Sequence, residues 1–392
     1  MKRSILSRVA AMLLSVMLVL TTFTALAVAE EGHCEAAALP TYTPATSPGQ
    51  PPAVKLSAQA SATSSATSAT TVTAVTAVTT DFCRARLSNT ERALYDSIDA
   101  AVTELADSAG FVFDDWSEDT VLTATASGTL TMAAVQLVVT AYFSDHPQYF
   151  WFDSEFAYLI LSAGTTLKLF VDPDYYSAAV RIGTAEAIAA TEARWMKALE
   201  RCPYDYEKVR VLHDLICCET DYAYAADGVT PEAGRWAHSI VGVMTGRGAV
   251  CDGYARTFQY MLNRCGIDAV TISGEGFDVT DGARRSLGAH AWNAVKIDGE
   301  YYLVDVTWDD IGAIEGFDKT RFGYSVYDYF CTQSSVFAES HVPYTPENGG
   351  FVALEDGAFS DSTSHEYYRV CGGYLDGRDG AGEALEAFTQ NA

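Results

Sequence analysis

The sequence predicts an α+β fold: a helix packed on an antiparallel sheet, preceded by a mixed α/β region. Two stretches carry that reading. In TGRGAVCDGYARTFQYMLNRCGI a glycine turn (Gly246, Gly248) gives way at Cys251 to Tyr254, Phe258, Met261 and Leu262, spaced as one buried helix face, with Gly266 where a left-handed stop belongs. In GAHAWNAVKIDGEYYLVDVTWDD two strand patterns flank Asp298-Gly299, the commonest signature of a two-residue hairpin.

The 392 residues allow one large or two modest domains, and 49% hydrophobic residues with 22 tyrosines and 18 phenylalanines argue for a packed globule over most of the chain. The formal charge is -26, from 51 acids and 25 bases. Such a surface repels nucleic acid and anionic membranes and suits solubility outside a cell. No metal, calcium-loop or nucleotide motif occurs, so neither cofactor nor metal is expected.

Residues 1–29 read as a signal peptide: Lys2, Arg3 and Arg8 precede an apolar run from Val9 to Leu20, and Ala27-Val28-Ala29 offers a cleavage site. The run is short for a spanning helix, so no membrane contact beyond export is expected. Residues 30–80 turn to Ala, Ser, Thr and Pro, with SATSSATSATTVTAVTAVTT at the centre, and read as a flexible spacer open to glycosylation. Residues 81–202 read as an accessory α/β region. Ser88 and Glu91 form a capping-box pattern before Leu94, Ile98, Val102 and Leu105, with Gly110 after the end. Leu130 to Ala141 gives a second helix, stopped by Asp145-His146-Pro147. QYFWFDSEFAYLIL and TTLKLFVD read as paired strands, and Thr184 to Arg201 as a third helix. His146 is expected to make a turn hydrogen bond.

A second folded region is expected over residues 203–345, opening with a helix capped by Asp205. His213 and Glu219 lack metal-pair spacing, so His213 reads as a satisfied helix histidine. Tyr222, Tyr224, Trp236 and His238 lie in the loop before Cys251, where packing is expected of each and oxyanion binding is open to one. Residues 346–392 read as a small C-terminal extension, with a strand at Tyr367-Tyr368 and a weak helix near Ala381 to Phe388; it lacks a cell-wall sorting signal, as a truncated gene product would. Of nine cysteines, setting Cys251 aside leaves eight, compatible with disulfides whose pairing sequence does not fix. One of Cys217 and Cys218 is expected in the core.

Cys251 opens a helix, where the unpaired first-turn amides and the positive end of the dipole favour a thiolate. If Ile297 pairs with Glu300, then Trp292 faces Asp305 and His290 faces Thr307, so His290 and Asp305 become diagonal neighbours on one face, roughly 7–8 Å apart at the backbone. Asp305 then orients His290, and His290 deprotonates Cys251. Asn293, an odd number of residues from His290, points to the other face. Asp309 and Asp310 read as solvated loop, and His341 as structural.

Cys-x-Gly-Tyr-Ala after a glycine turn, then HAWN, then a strand ending DVTWDD, resembles the transglutaminase-like superfamily with its papain-like core, in its secreted bacterial branch. DYEKVRVLHDLICCETDY and SIVGVMTGRGAVC also look like that branch, and the resemblance covers roughly Pro203 to His341. It implies Cys251 as nucleophile, His290 as base and Asp305 as orienting acid. The calcium dependence of animal relatives is not carried over, since no matching acidic loop is present.

Taken singly, each residue has an ordinary explanation: cysteines are often buried, strand histidines often merely bonded, and aspartates often end strands. Together they point to a secreted thiol enzyme acting on protein or peptide amides, with oligomeric state open. The competing readings are a papain-like protease of cell-wall or extracellular peptides and a catalytically silent surface binding module.

Overall fold

Ser88 opens the first helix with a capping box: its hydroxyl accepts from the Glu91 amide at 3.5 Å, and Glu91 Oε2 accepts from the Ser88 amide at 2.8 Å. Helix α1 (Asn89–Ala106) buries Leu94, Ile98 and Val102. The computed structural model describes residues 82–161, 164–280, 283–310, 326–345 and 359–370. The expected signal peptide, spacer and weak helix near Ala381 lie outside them.

Helix α1 ends at Ala106, short of the expected stop, and Gly110 falls in a separate short helix α2 (Ala109–Phe113) capped by Ser108. Strand β1 (Val121–Ala126) was not foreseen. Helix α3 (Met132–Asp145) stops at His146, before Pro147. Strands β2 (Phe152–Leu161) and β3 (Gly164–Val171) pair as expected, and β1 takes the other edge of β3, giving an antiparallel sheet ordered β1-β3-β2. Helix α4 (Ala178–Leu199) begins earlier than Thr184. Its buried Arg181 donates to the carbonyls of Phe111, Asp114, Tyr175 and Tyr176, closing the loops around it.

Helix α5 (Asp205–Glu219) is not capped by Asp205. Tyr204 holds the N-cap without a side-chain bond, and Asp205 sits inside the first turn, 3.0 Å from Lys208 Nζ. After α6 (Ile240–Met244) comes α7 (Cys251–Arg264), closed by Gly266 at φ 77°. Then follow β4 (Ala269–Thr280), β5 (Ala283–Ile297), β6 (Glu300–Val304), α8 (Val306–Asp309), β7 (Phe330–Thr332), α9 (Ser334–Phe337), β8 (His341–Pro343) and α10 (Tyr367–Val370). The last is helical where a strand was expected. The second sheet is antiparallel, ordered β7-β6-β5-β4-β8.

The hairpin turn is as its sequence demands. Asp298 (φ 52°) and Gly299 (φ 91°) are both left-handed, and Ile297 pairs with Glu300. Helix α7 packs on β4 and β5, its Asn263 and Gln259 accepting from the β4 amides of Ala269 and Thr271, and its Phe258, Met261 and Leu262 are fully buried. Asn293 lies in that interface and donates to the carbonyls of Ala255 at 2.9 Å and Val270 at 3.3 Å. Gly253 permits close approach on the other side, where an added Cβ would run into the Ala237 carbonyl.

The accessory elements and the core elements bury their apolar faces in a single cluster, from Leu94, Trp151 and Trp195 through Leu212 to Phe258 and Val295. Polar contacts reinforce it. Glu192 on α4 accepts from Tyr260 Oη and from Arg264 Nε, each at 2.6 Å, and Thr191 donates to the Met244 carbonyl at 2.8 Å. Among the described residues, Cys83, Cys202, Cys217, Cys251, Cys265 and Cys331 are not in disulfides, whereas Cys218 is disulfide-bonded. No described helix is long and apolar enough to cross a membrane.

Candidate active site

Cys251 is the first residue of α7 and is half-buried. Val250, its N-cap, supplies no side-chain acceptor, so no side chain caps the first-turn amides. The turn before it is fixed by the backbone: Val250 donates to the Ala237 carbonyl at 3.0 Å and Ala249 to that of Asp221 at 3.2 Å. Asp252 is held aside by His238 Nδ1 at 2.8 Å, and that hydrogen bond raises the His238 pKa against burial.

His290 lies on β5 with Nε2 2.6 Å from Asp305 Oδ2, both side chains nearly inaccessible. The remaining nitrogen, Nδ1, is the one left for Cys251, which helps to raise the imidazole's pKa. Burial alone would depress the imidazole. The charge and hydrogen bond of Asp305 outweigh it, then Cys251 adds, and the pKa of His290 rises to about 10. For Asp305 burial would raise the carboxyl, but His290 and then His341 hold it well below the usual carboxylate range. Trp308 stacks on the imidazole at 4.8 Å, and an added Cβ at Gly276 would press on Trp308.

Asp305 reaches His290 by a different route from the one expected. Strand β6 ends at Val304, opposite Asn293, so the predicted pairings of Asp305 with Trp292 and Thr307 with His290 do not form. Asp305 is instead the N-cap of α8, accepting at Oδ1 from the amides of Thr307 at 3.0 Å and Trp308 at 3.2 Å. One carboxylate oxygen caps the helix and the other faces the imidazole. The helix therefore sets the angle at which His290 is held.

Asp309 and Asp310 are buried, contrary to the solvated loop expected of them. Asp309 accepts from the Tyr329 amide at 3.0 Å and lies 3.2 Å from His213 Nε2, while Asp310 accepts from Tyr254 Oη at 2.7 Å. His213 also contacts Asp214 at 3.2 Å, which pairs with Arg210 at 2.6 Å. Burial pulls His213 down, but its hydrogen bonds to Asp214 and Asp309 raise it to about 9; burial pushes Asp309 up to about 7 against the pull of His213. This second charged cluster ties α5 to the end of α8.

His341, read from sequence as structural, touches the site directly: its Nε2 lies 3.1 Å from the same Asp305 Oδ2. The pairing of β8 with β4 delivers it there, a contact no local pattern encodes. His290, Asp305 and His341 bring their ligand atoms within 4.8 Å of one another. The spacings of 2.6 and 3.1 Å are hydrogen-bond lengths, shorter than the roughly 3.4 Å between two ligands on one zinc with bonds of ~2.1 Å.

Asn293 points away from His290 into the α7 interface. Trp292 is buried, its ring 6.0 Å from His290 and 4.9 Å from His341. His146 is a buried neutral histidine between Tyr95 Oη at 2.9 Å and Gln148 Nε2 at 3.2 Å, its pKa pressed down to about 3 by burial. Burial first, and then the charge of Cys251, raises the Tyr222 phenol, whose ring lies 5.0 Å from that of Tyr224. Trp236 packs under the Arg247 guanidinium at 3.9 Å.

Residues 193–306 match the family profile described as Transglutaminase-like superfamily. This segment is similar to transglutaminase-like domains. It contains all three candidate residues, and the mixed fold of helices on an antiparallel sheet is consistent with a papain-like core. The chain is 34% identical over 149 residues to the human (Homo sapiens) kyphoscoliosis peptidase and 33% identical over 148 residues to that of Mus musculus. Each match covers 37% of this chain and 22% of the relative, so the chain spans about a fifth of the length of these curated proteins. A solved structure titled as that of a TGase aligns at 15% identity with a TM-score of 0.28, over 53% of this chain and 58% of that one. That score is too low to carry an argument. The profile match and the peptidase relatives support a transglutaminase-like enzyme family.

Proposed function

We propose that this protein is an exported cysteine enzyme that transfers or hydrolyses the acyl group of protein or peptide amides through Cys251, His290 and Asp305. What supports the reading is one observation: the His290 imidazole is held by Asp305, 2.6 Å from its Nε2, with its pKa raised by Asp305 and then by Cys251. Asp305 fixes the tautomer and orientation, leaving Nδ1 to take the thiol proton.

Cys251 Sγ attacks the amide carbonyl carbon, its proton already carried by His290 Nδ1. The tetrahedral oxyanion is held by first-turn amides of α7 that no side chain caps. The C–N bond breaks, the leaving amine takes the proton from His290, and a thioester remains on Cys251. A second amine then gives a new amide, and water gives the acid. The similarity to peptidases favours water as acceptor.

The test uses a peptide-amide electrophile directed at thiols, with labelling read by peptide mapping. Cys251 is expected to label in the wild type and much more slowly in His290→Ala. Equal labelling in the two proteins, or none in either, sinks the enzymatic reading in favour of a silent binding module. Casein and cell-wall peptides, incubated with and without a primary amine and weighed by mass spectrometry, separate hydrolysis from cross-linking. Export is tested separately, by sequencing the N-terminus of the protein recovered from the medium.

A further inference from the structure

We infer that His341 is a positioning residue of the same site, a neutral imidazole that clamps Asp305 so that Asp305 presents His290 to Cys251. The inference rests on the proposed function and extends it from three residues to four.

Asp305 Oδ2 is approached by two imidazole nitrogens, His290 Nε2 at 2.6 Å and His341 Nε2 at 3.1 Å, while Oδ1 is filled by two α8 amides. A carboxylate only accepts, so each imidazole carries its proton on Nε2. For His341 that leaves Nδ1 as an acceptor, and Ser340 Oγ stands 2.9 Å from it to donate. The ring is otherwise enclosed by Phe337 at 3.9 Å, Trp308 at 4.4 Å, Trp292 at 4.9 Å and Tyr329 at 5.3 Å between ring centres. The titratable groups facing it are Asp305, His290 and Tyr329. No other charge contacts it among the described residues, and burial lowers its pKa, so it donates as a neutral group.

The clamp has two physical effects. It occupies the second lone pair of Oδ2, leaving one direction from which His290 can bond. It also drains basicity from Asp305, so that at 2.6 Å the proton stays on His290, where the thiolate needs it. A purely structural histidine would have no reason to end on the oxygen that holds the base.

The full chain tests this without a known substrate. Carbamidomethylation of Cys251 by iodoacetamide is followed by peptide mapping from about pH 5 to about pH 9 in wild type, His341→Phe, His341→Gln and Ser340→Ala. Phenylalanine keeps the packing and loses the donor; glutamine keeps a donor. At about pH 6.5 His341→Phe is expected to react about tenfold more slowly than wild type, with the gap closing by about pH 9, and His341→Gln to stay within about threefold. Ser340→Ala, which unlatches the ring, is expected to lose about threefold with the same pH dependence, and it carries the test with His341→Gln should His341→Phe not fold.

A folded His341→Phe protein whose profile overlies that of wild type overturns the inference. So does His341→Gln slowed as much as His341→Phe, or, without a folded phenylalanine variant, Ser340→Ala and His341→Gln losing equally. In those cases a wild-type rate at about pH 6.5 well above that of His290→Ala leaves the thiol-enzyme reading standing. A wild-type rate no higher than that of His290→Ala overturns both.

Discussion

Tyr254, one turn into α7, donates its hydroxyl to Asp310 Oδ2 at 2.7 Å, so the helix that begins with Cys251 is bolted to the end of the helix that Asp305 caps. Both groups are buried. Tyr254→Phe leaves a carboxylate short of a donor, and a loss of about 1–3 kcal/mol is expected in urea unfolding, with slower Cys251 alkylation. A variant as stable as wild type would show that Asp310 is satisfied without Tyr254.

Gly253→Ala sets two effects against each other. Alanine in a helix gains about 1 kcal/mol over glycine, but its Cβ would meet the Ala237 carbonyl, a backbone atom that cannot swing aside. The clash is expected to win, with a net loss of about 2 kcal/mol on denaturant unfolding. A gain in stability would mean that the loop at Ala237 yields.

Cys251→Ala removes one sulfur from a half-buried helix start and replaces it with a better helix former. Unfolding free energy is expected to change by less than about 1 kcal/mol while alkylation and any amide-directed activity vanish. A large fall in melting temperature would contradict this placement of the thiol.

Stability should decline on the alkaline side. His290 is raised from 6.5 to about 10 and His213 from 6.5 to about 9, so between these limits the folded protein binds more protons than the unfolded chain. A raised histidine contributes fully below about 6.5, and its contribution is lost as pH rises through the folded value. Calorimetry from about pH 7 to about pH 10 is expected to show a falling melting temperature, with a shallower slope in His213→Gln. A flat profile would mean that neither imidazole is held charged by its aspartates.

Much of the site was legible in the sequence because its signals are local. A glycine turn followed by a helical stripe places Cys251, and Asp298-Gly299 fixes the register from Ile297 back to Asn293. The end of β6 was not legible, since Val304, Val306 and Trp308 continue the alternation of a strand as readily as they start a short helix. The signal that existed was Asp305 followed by Asp309, a capping residue and an acid in the first turn. Burial of Asp309 and Asp310, and the meeting of His341 with Asp305, depend on partners far along the chain: His213, Tyr254 and the β4–β8 pairing. No periodicity reports these.

Glu192 lies one residue outside the segment that matches the family profile, yet its carboxylate holds Tyr260 and Arg264 of α7. A fragment trimmed to the recognisable motif would strip the far end of that helix of its anchor and leave Trp195 and Leu199 without the helix they belong to. The length of chain that matches the profile and the length that anchors α7 are different.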